Sequence, residues 1–174
     1  MIAGLLLAAG HSTRFGSNKL LHAPPGSLPL ALQAARCLTP LDQLLAVVPQ
    51  GDDTLRTLFQ NIGLAVVEVQ EEEGSSGLSS SLRSGLLAAP QADGWIIALA
   101  DMPQVKVSTV VAMQRALSEG AAIVACRYRG QRGNPVGFSS HFREALMALR
   151  GDQGARRLLD VHRQEVCWLD VDDP

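Results

Sequence analysis

Apolar residues fall into short continuous runs, separated by stretches in which they recur every third or fourth position. The runs predict strands over Ile2 to Ala8, Leu44 to Val48, Ala65 to Val69, Trp95 to Leu99, Ala121 to Cys126 and Val166 to Leu169. The intervening stretches predict helices over Pro29 to Cys37, Thr54 to Gln60, Ser80 to Ala88, Ser108 to Leu117, Phe142 to Leu149 and Gln153 to Val161. Strand and helix in alternation imply an α/β fold, with mostly parallel pairing and right-handed crossovers. Ligands of such sheets bind beyond the carboxyl ends of the strands, which is where the residues after Leu7 and Asp101 are expected.

The segment Leu5 to Lys19, LLLAAGHSTRFGSNK, carries the strongest chemical signal. Leu5, Leu6 and Leu7 suit a buried parallel strand, and Ala8, Ala9 and Gly10 leave the backbone that follows almost bare. Consecutive amides of such a loop form an anion-binding concavity. Arg14 adds a forked donor and Lys19 a compact, mobile charge. Nucleotide phosphates are the natural guest. A Walker-type loop is excluded because Gly16 is followed by Ser17, Asn18, Lys19 and Leu20, leaving no hydroxyl where magnesium would need one. The dinucleotide fingerprint is excluded because five residues separate Gly10 from Gly16.

The 174 residues, 47% hydrophobic and 18% charged, are enough for one domain, spanning 1–174, with a sizeable core. A net charge of −2 and 4% aromatics speak against nucleic-acid binding, so anionic substrates must be met locally. The apolar run from Ile2 to Ala9 is too short to span a bilayer and lacks a basic flank, which predicts no membrane association and a cytoplasmic protein. Cys37, Cys126 and Cys167 have no metal-ligand spacing and are expected as buried, reduced thiols. His11, His22, His141 and His162 form no recognisable catalytic spacing.

The string LAAGxSxRFGxxK is followed by GLSSSLRSG from Gly77 to Gly85, ALADMP from Ala98 to Pro103, RGNPVGF from Arg132 to Phe138, GDQGARRLL from Gly151 to Leu159 and DVDDP from Asp170 to Pro174. In order and approximate spacing these segments resemble the nucleotidyltransferase family typified by molybdenum cofactor cytidylyltransferase and its guanylyltransferase relative, within the group that includes sugar-nucleotide pyrophosphorylases. The resemblance implies a single-domain, Rossmann-like three-layer sandwich of the nucleotide-diphospho-sugar transferase type. It also implies transfer of a nucleoside monophosphate to a phosphorylated acceptor with release of pyrophosphate.

Under that resemblance Leu7, Ala8, Ala9, Gly10, Ser12, Arg14 and Lys19 hold the nucleotide, with Lys19, Arg14 and Asp101 as the catalytic set. Gly77, Ser79, Ser80 and Ser81 contact the base; helix capping by Ser79 or Ser80 is the competing reading. Asp101 is assigned to Mg2+, against a simple turn or cap. Asp172 is its implied partner, in D-V-D-D-P where the family has D-I-D-T-P; a solvated acidic end is the alternative. Asn134-Pro135-Val136-Gly137-Phe138 and the later Gly151 to Arg156 fall on the acceptor side, with Asn134 where relatives often carry His; within the second segment Asp152 is expected to cap the helix of Leu158 and Leu159. Leu7-Ala8-Ala9-Gly10 matches the cytidylyl branch, since the guanylyl branch has two glycines there. CTP is therefore the expected donor and molybdopterin the expected acceptor. A sugar or alcohol phosphate is the alternative acceptor. The third possibility is a non-catalytic nucleotide-binding accessory with a molybdenum enzyme as partner.

Overall fold

The computed structural model describes residues 1–10, 19–69 and 77–172. Its strands are β1 (Ile2–Leu7), β2 (Gln43–Val48), β3 (Ala65–Glu68), β4 (Gly94–Leu99), β5 (Ile123–Tyr128), β6 (Gln131–Ser139) and β7 (Val166–Val171). Its α-helices are α1 (Leu30–Ala35), α2 (Asp53–Gln60), α3 (Leu78–Ala88), α4 (Val107–Ser118), α5 (Arg143–Met147) and α6 (Arg156–Val161). The strands form one sheet in the order β3-β2-β1-β4-β6-β5-β7.

All six residues of β1 are buried, because the strand lies inside the sheet and both of its faces are covered. Ile2 and Leu6 pack into the layer of α1, α2 and α4, with Ala34, Phe59 and Met113. Ala3, Leu5 and Leu7 enter the opposite layer, with Leu86 of α3, Leu146 of α5 and Leu159 of α6. The period-2 alternation of one strand thus feeds two cores and makes the three-layer α/β sandwich that the family resemblance implies. α2 begins one residue before the expected start because the Asp52 carboxylate accepts a hydrogen bond from the Leu55 amide at 3.0 Å.

One strand is new relative to the sequence expectation. Residues Gln131–Ser139, read there only as an acceptor segment, form β6, antiparallel to both β4 and β5. Proline cannot donate to a sheet ladder, so a central strand containing one requires an irregularity. The register supplies it: Ala125 pairs with Val136 while Cys126 pairs with Gly133, leaving Asn134 and Pro135 bulged out. The Asn134–Pro135 peptide is cis. β5 and β6 are joined by Arg129 and Gly130, whose φ values of 49° and 77° are the positive pair that a type I′ hairpin needs.

Among the described residues no helix is long and apolar enough to cross a membrane. Cys37 and Cys126 are buried free thiols as expected, but Cys167 is exposed on the edge strand β7, since alternate residues of an edge strand face outward.

Candidate active site

The chain runs from β1 to β2 and β3 on one side and returns to β4 on the other, so a topological switch point lies between β1 and β4. Leu7 and Leu99 are aligned across that pair. Beyond them the ladder continues through the Ala8 amide to the Val47 carbonyl at 2.8 Å and the Ala100 amide to the Leu7 carbonyl at 3.1 Å. A cleft of about 210 Å³ opens there, floored by Leu7, Ala8 and Leu99 and flanked by Gly10, Leu20 and Leu78. Lys19 and Asp101 supply its charges. Gly10 stands open, since a Cβ added there would meet no protein atom within 4 Å. Lys19 is the exposed first residue of a single 3-10 turn, Lys19–Leu21, anchored by buried Leu20, so its cation stands at the rim.

The fold therefore brings together Leu7, Ala8, Gly10, Lys19 and Asp101 from the expected site, with half-buried Ala9 between two of them. Ser12 and Arg14 lie outside the described residues. Leu20, Leu78 and Leu99 also line the cleft and were not singled out from sequence; the Leu78–Leu82–Leu86 spacing was the available signal for the second.

Helix α3 corrects the capping expectation. Its N-cap is Gly77, with φ 107° and ψ −165°, and no side chain caps the helix. Ser79, Ser80 and Ser81 are instead buried within the first turns, at 0%, 2% and 3% exposure. Gly85 explains why this helix lies so close to the sheet: a Cβ there would meet Leu5 and Val47 at 3.2 Å. The cap assigned to Asp152 is corrected as well. α6 starts after Ala155 with no side-chain cap, and the Asp152 carboxylate lies over Gly77, where an added Cβ would overlap its Oδ1. Gly154 makes the reciprocal close approach, with Leu78 Cδ2 2.6 Å from where its Cβ would stand. Two glycines thus let the 151–154 turn sit against the start of α3.

Asn134 is half-buried and Pro135 buried at the bulge of β6. Asn134 lines a smaller cavity of about 150 Å³ with Arg132 and Arg156. Asp172 follows β7 and is exposed, with Lys106 Nζ 2.7 Å from its Oδ1. That hydrogen bond, followed by the charge of Lys106, holds the Asp172 carboxyl below its ordinary value. A folded-state pKa below the unfolded one adds stability that is present above the unfolded value, about 4, and is lost as pH falls through the lowered one. Lys106→Gln is accordingly expected to open a small gap in Tm at neutral pH that closes in acid. A gap persisting unchanged to pH 2 would contradict it.

Among the described residues no group of three or more His, Cys, Asp or Glu side chains is placed to hold a metal, so no protein cage is present. Magnesium needs none, because it typically takes one or two carboxylates and completes its shell with water and substrate phosphates. The hard-oxygen donor of Asp101, lining the same cleft as the Lys19 cation, fits that chemistry.

The family model described as a MobA-like NTP transferase domain matches residues 4–166. The purine catabolism protein PucB of Bacillus subtilis (strain 168) is 32% identical over 168 residues, covering 91% of this chain and 80% of that protein. The crystal structure of the Rv0371c homolog from Mycobacterium sp. strain JC1 has a TM-score of 0.84 at 32% identity, covering 99% of this chain and 86% of that one. Rv0371c of Mycobacterium tuberculosis H37Rv, in complex with manganese, has a TM-score of 0.81 at 28% identity, covering 99% and 89%.

Proposed function

Because the chain belongs to the MobA-like NTP transferase family, we propose that it transfers CMP from CTP to a phosphorylated acceptor, molybdopterin, and releases pyrophosphate. The observation that carries this reading is the cleft at the β1/β4 switch point, with Lys19 and Asp101 as its charges. An acceptor phosphate oxygen attacks the α-phosphorus, the bond to the β-phosphate oxygen breaks, and pyrophosphate leaves with the electron pair. No protein nucleophile is required. Lys19 and the amides around Ala9 and Gly10 hold the triphosphate in line and neutralise the charge that gathers on the leaving group, with Arg14 assigned to the same task. Bound magnesium would supply further neutralisation of phosphate charge. Asp101 and Asp172 are the carboxylates assigned to it, the second after exchanging its Lys106 partner. Half-buried Ala9, where the guanylyl branch has glycine, supports cytidine over guanine. Gly77 and Ser79 to Ser81 are assigned to the base, and Asn134 and Pro135 to the acceptor. Residence in the cytoplasm belongs to the same reading.

The relative named purine catabolism protein PucB favours a second reading, in which the same site serves purine catabolism with a different phosphorylated acceptor, or as an accessory without turnover. Pyrophosphate release separates enzyme from accessory. Magnesium-dependent thermal stabilisation by CTP, GTP, ATP and UTP tests the donor: a nucleotide at a hundredfold excess over its Kd should add about 2.7 kcal/mol. Lys19→Ala should abolish that stabilisation and lower turnover at least about tenfold, about 1.4 kcal/mol of barrier, with the fold intact. Unchanged pyrophosphate release by Lys19→Ala would overturn the assignment.

A further inference from the structure

Asp101 and Asp172 leave the sheet at the same edge, but not side by side. β6 is antiparallel to both β4 and β5, and β7 is parallel to β5, so β4, β5 and β7 all end on that edge. Because β6 and β5 stand between β4 and β7, three strand spacings, about 14 Å, separate the two strand ends. The connection from β4 to α4 bridges part of that gap. It carries Asp101 near its start and ends at Lys106, whose Nζ donates to Asp172 Oδ1 at 2.7 Å. The connection that holds one assigned metal carboxylate therefore touches the other, and does so with a cation.

The helix that Lys106 opens does not explain it. Lys106 is the N-cap of α4, in extended conformation and without a side-chain cap, and no acidic residue stands in the first turn. The amides of that turn form the positive end of the helix dipole, where a carboxylate is favoured and an ammonium is not. The ion pair adds little stability either. Its side chains are 48% and 88% exposed, and so well hydrated a pair is weak and exchanges readily. What the pair does control is the charge seen by an arriving cation. Asp172 offers a divalent ion a carboxylate that already carries a positive charge 2.7 Å from one oxygen, and two cations on one carboxylate repel each other.

We propose that Lys106 is a positioning residue that makes metal uptake depend on the nucleotide. With Asp172 held by Lys106, a bare divalent cation meets Asp101 alone and binds weakly. Triphosphate oxygens supply the ligands and the negative charge that a single carboxylate lacks, so the metal enters with the nucleotide and only then takes Asp172 from Lys106. Resting on the nucleotidyl-transfer reading, which assigns both carboxylates to the metal, this gives the order of binding at that site: nucleotide and metal together, with Lys106 keeping the empty site open.

The test titrates Mn2+ without nucleotide and counts the free ion by electron paramagnetic resonance. Lys106→Gln should tighten Mn2+ binding about threefold, with far-UV circular dichroism unchanged, and Lys106→Arg should restore the weak binding of the unsubstituted protein. Asp172→Asn should cancel the gain when added to Lys106→Gln. With CTP present, the difference between Lys106→Gln and the unsubstituted protein should shrink, because the triphosphate then recruits the metal in both. Equal Mn2+ affinity in Lys106→Gln and the unsubstituted protein would overturn the proposal. So would a gain that survives Asp172→Asn, which would mark a general effect of removing charge, or one that CTP leaves undiminished. Pyrophosphate release by the unsubstituted protein judges the transfer reading separately, and its absence would leave the Mn2+ titration to decide the role of Lys106.

Discussion

Asp101→Ala is expected to lower turnover about a hundredfold, about 2.7 kcal/mol of barrier, while Tm stays within about 2 °C. Among the described residues Asp101 is the one carboxylate lining the cleft; it is exposed and makes no hydrogen bond or ion pair. Its removal thus leaves no cavity and no orphaned partner among the described residues, and stability should change little. Function should respond because a carboxylate beside a triphosphate is repulsive unless a cation stands between them. The sign of its effect on nucleotide binding is therefore the informative quantity. Without divalent ions, Asp101→Ala should bind the triphosphate as well as the unsubstituted protein or better, since a negative charge has gone. With magnesium or manganese present it should bind more weakly. Lys19→Ala should behave differently and lose affinity under both conditions, because the role assigned to its ammonium is to act directly on phosphate oxygens. An Asp101→Ala protein whose nucleotide affinity falls equally with and without metal would sink the metal-ligand role and leave Asp101 as a turn residue.

What could be read before the fold was known follows from how local each signal is. β1 and β4 announce themselves because strands buried on both faces must be apolar at nearly every position, and their ends at the switch point place Lys19 and Asp101 together. β6 does not, since Gly133, Asn134 and Pro135 read locally as a turn. Only the flanking β4 and β5, and the bulge between Ala125 and Cys126, allow a proline-bearing strand there. Ser79 and Ser80 carry a sound local capping signal that tertiary packing overrides, because Gly85 draws α3 so close to the sheet that its first turns are buried. Arg132 and Arg156 stand in the strings RGNPVGF and GDQGARRLL that carry the resemblance, but no local pattern shows that they line one cavity. Arg132 and Arg156 are far apart in sequence and meet only because the β5–β6 hairpin and α6 share one end of the sheet.

Gly77→Ala should destabilise the protein by about 3 kcal/mol, of which the strained backbone alone supplies about 1–3 kcal/mol. Its φ of 107° with ψ of −165° belongs to a region that is almost exclusive to glycine. A Cβ there would also overlap Asp152 Oδ1 and stand 3.3 Å from the Gly151 carbonyl carbon. The two penalties separate experimentally. Asp152 is exposed and its carboxylate can swing aside, so Asp152→Ala alone should shift stability by no more than about 0.5 kcal/mol. Combined with Gly77→Ala it should recover only the overlap, leaving the backbone strain in place. For a chain of this length the single substitution corresponds to a Tm lowered by about 6–12 °C. Leu78 lines the cleft at the β1/β4 switch point and packs on Gly154, so the start of α3 cannot shift without disturbing both. Nucleotide stabilisation should therefore fall in Gly77→Ala even at temperatures where the protein remains folded. Full rescue of Tm in the double variant would show that side-chain overlap, rather than the left-handed backbone, reserves this position for glycine.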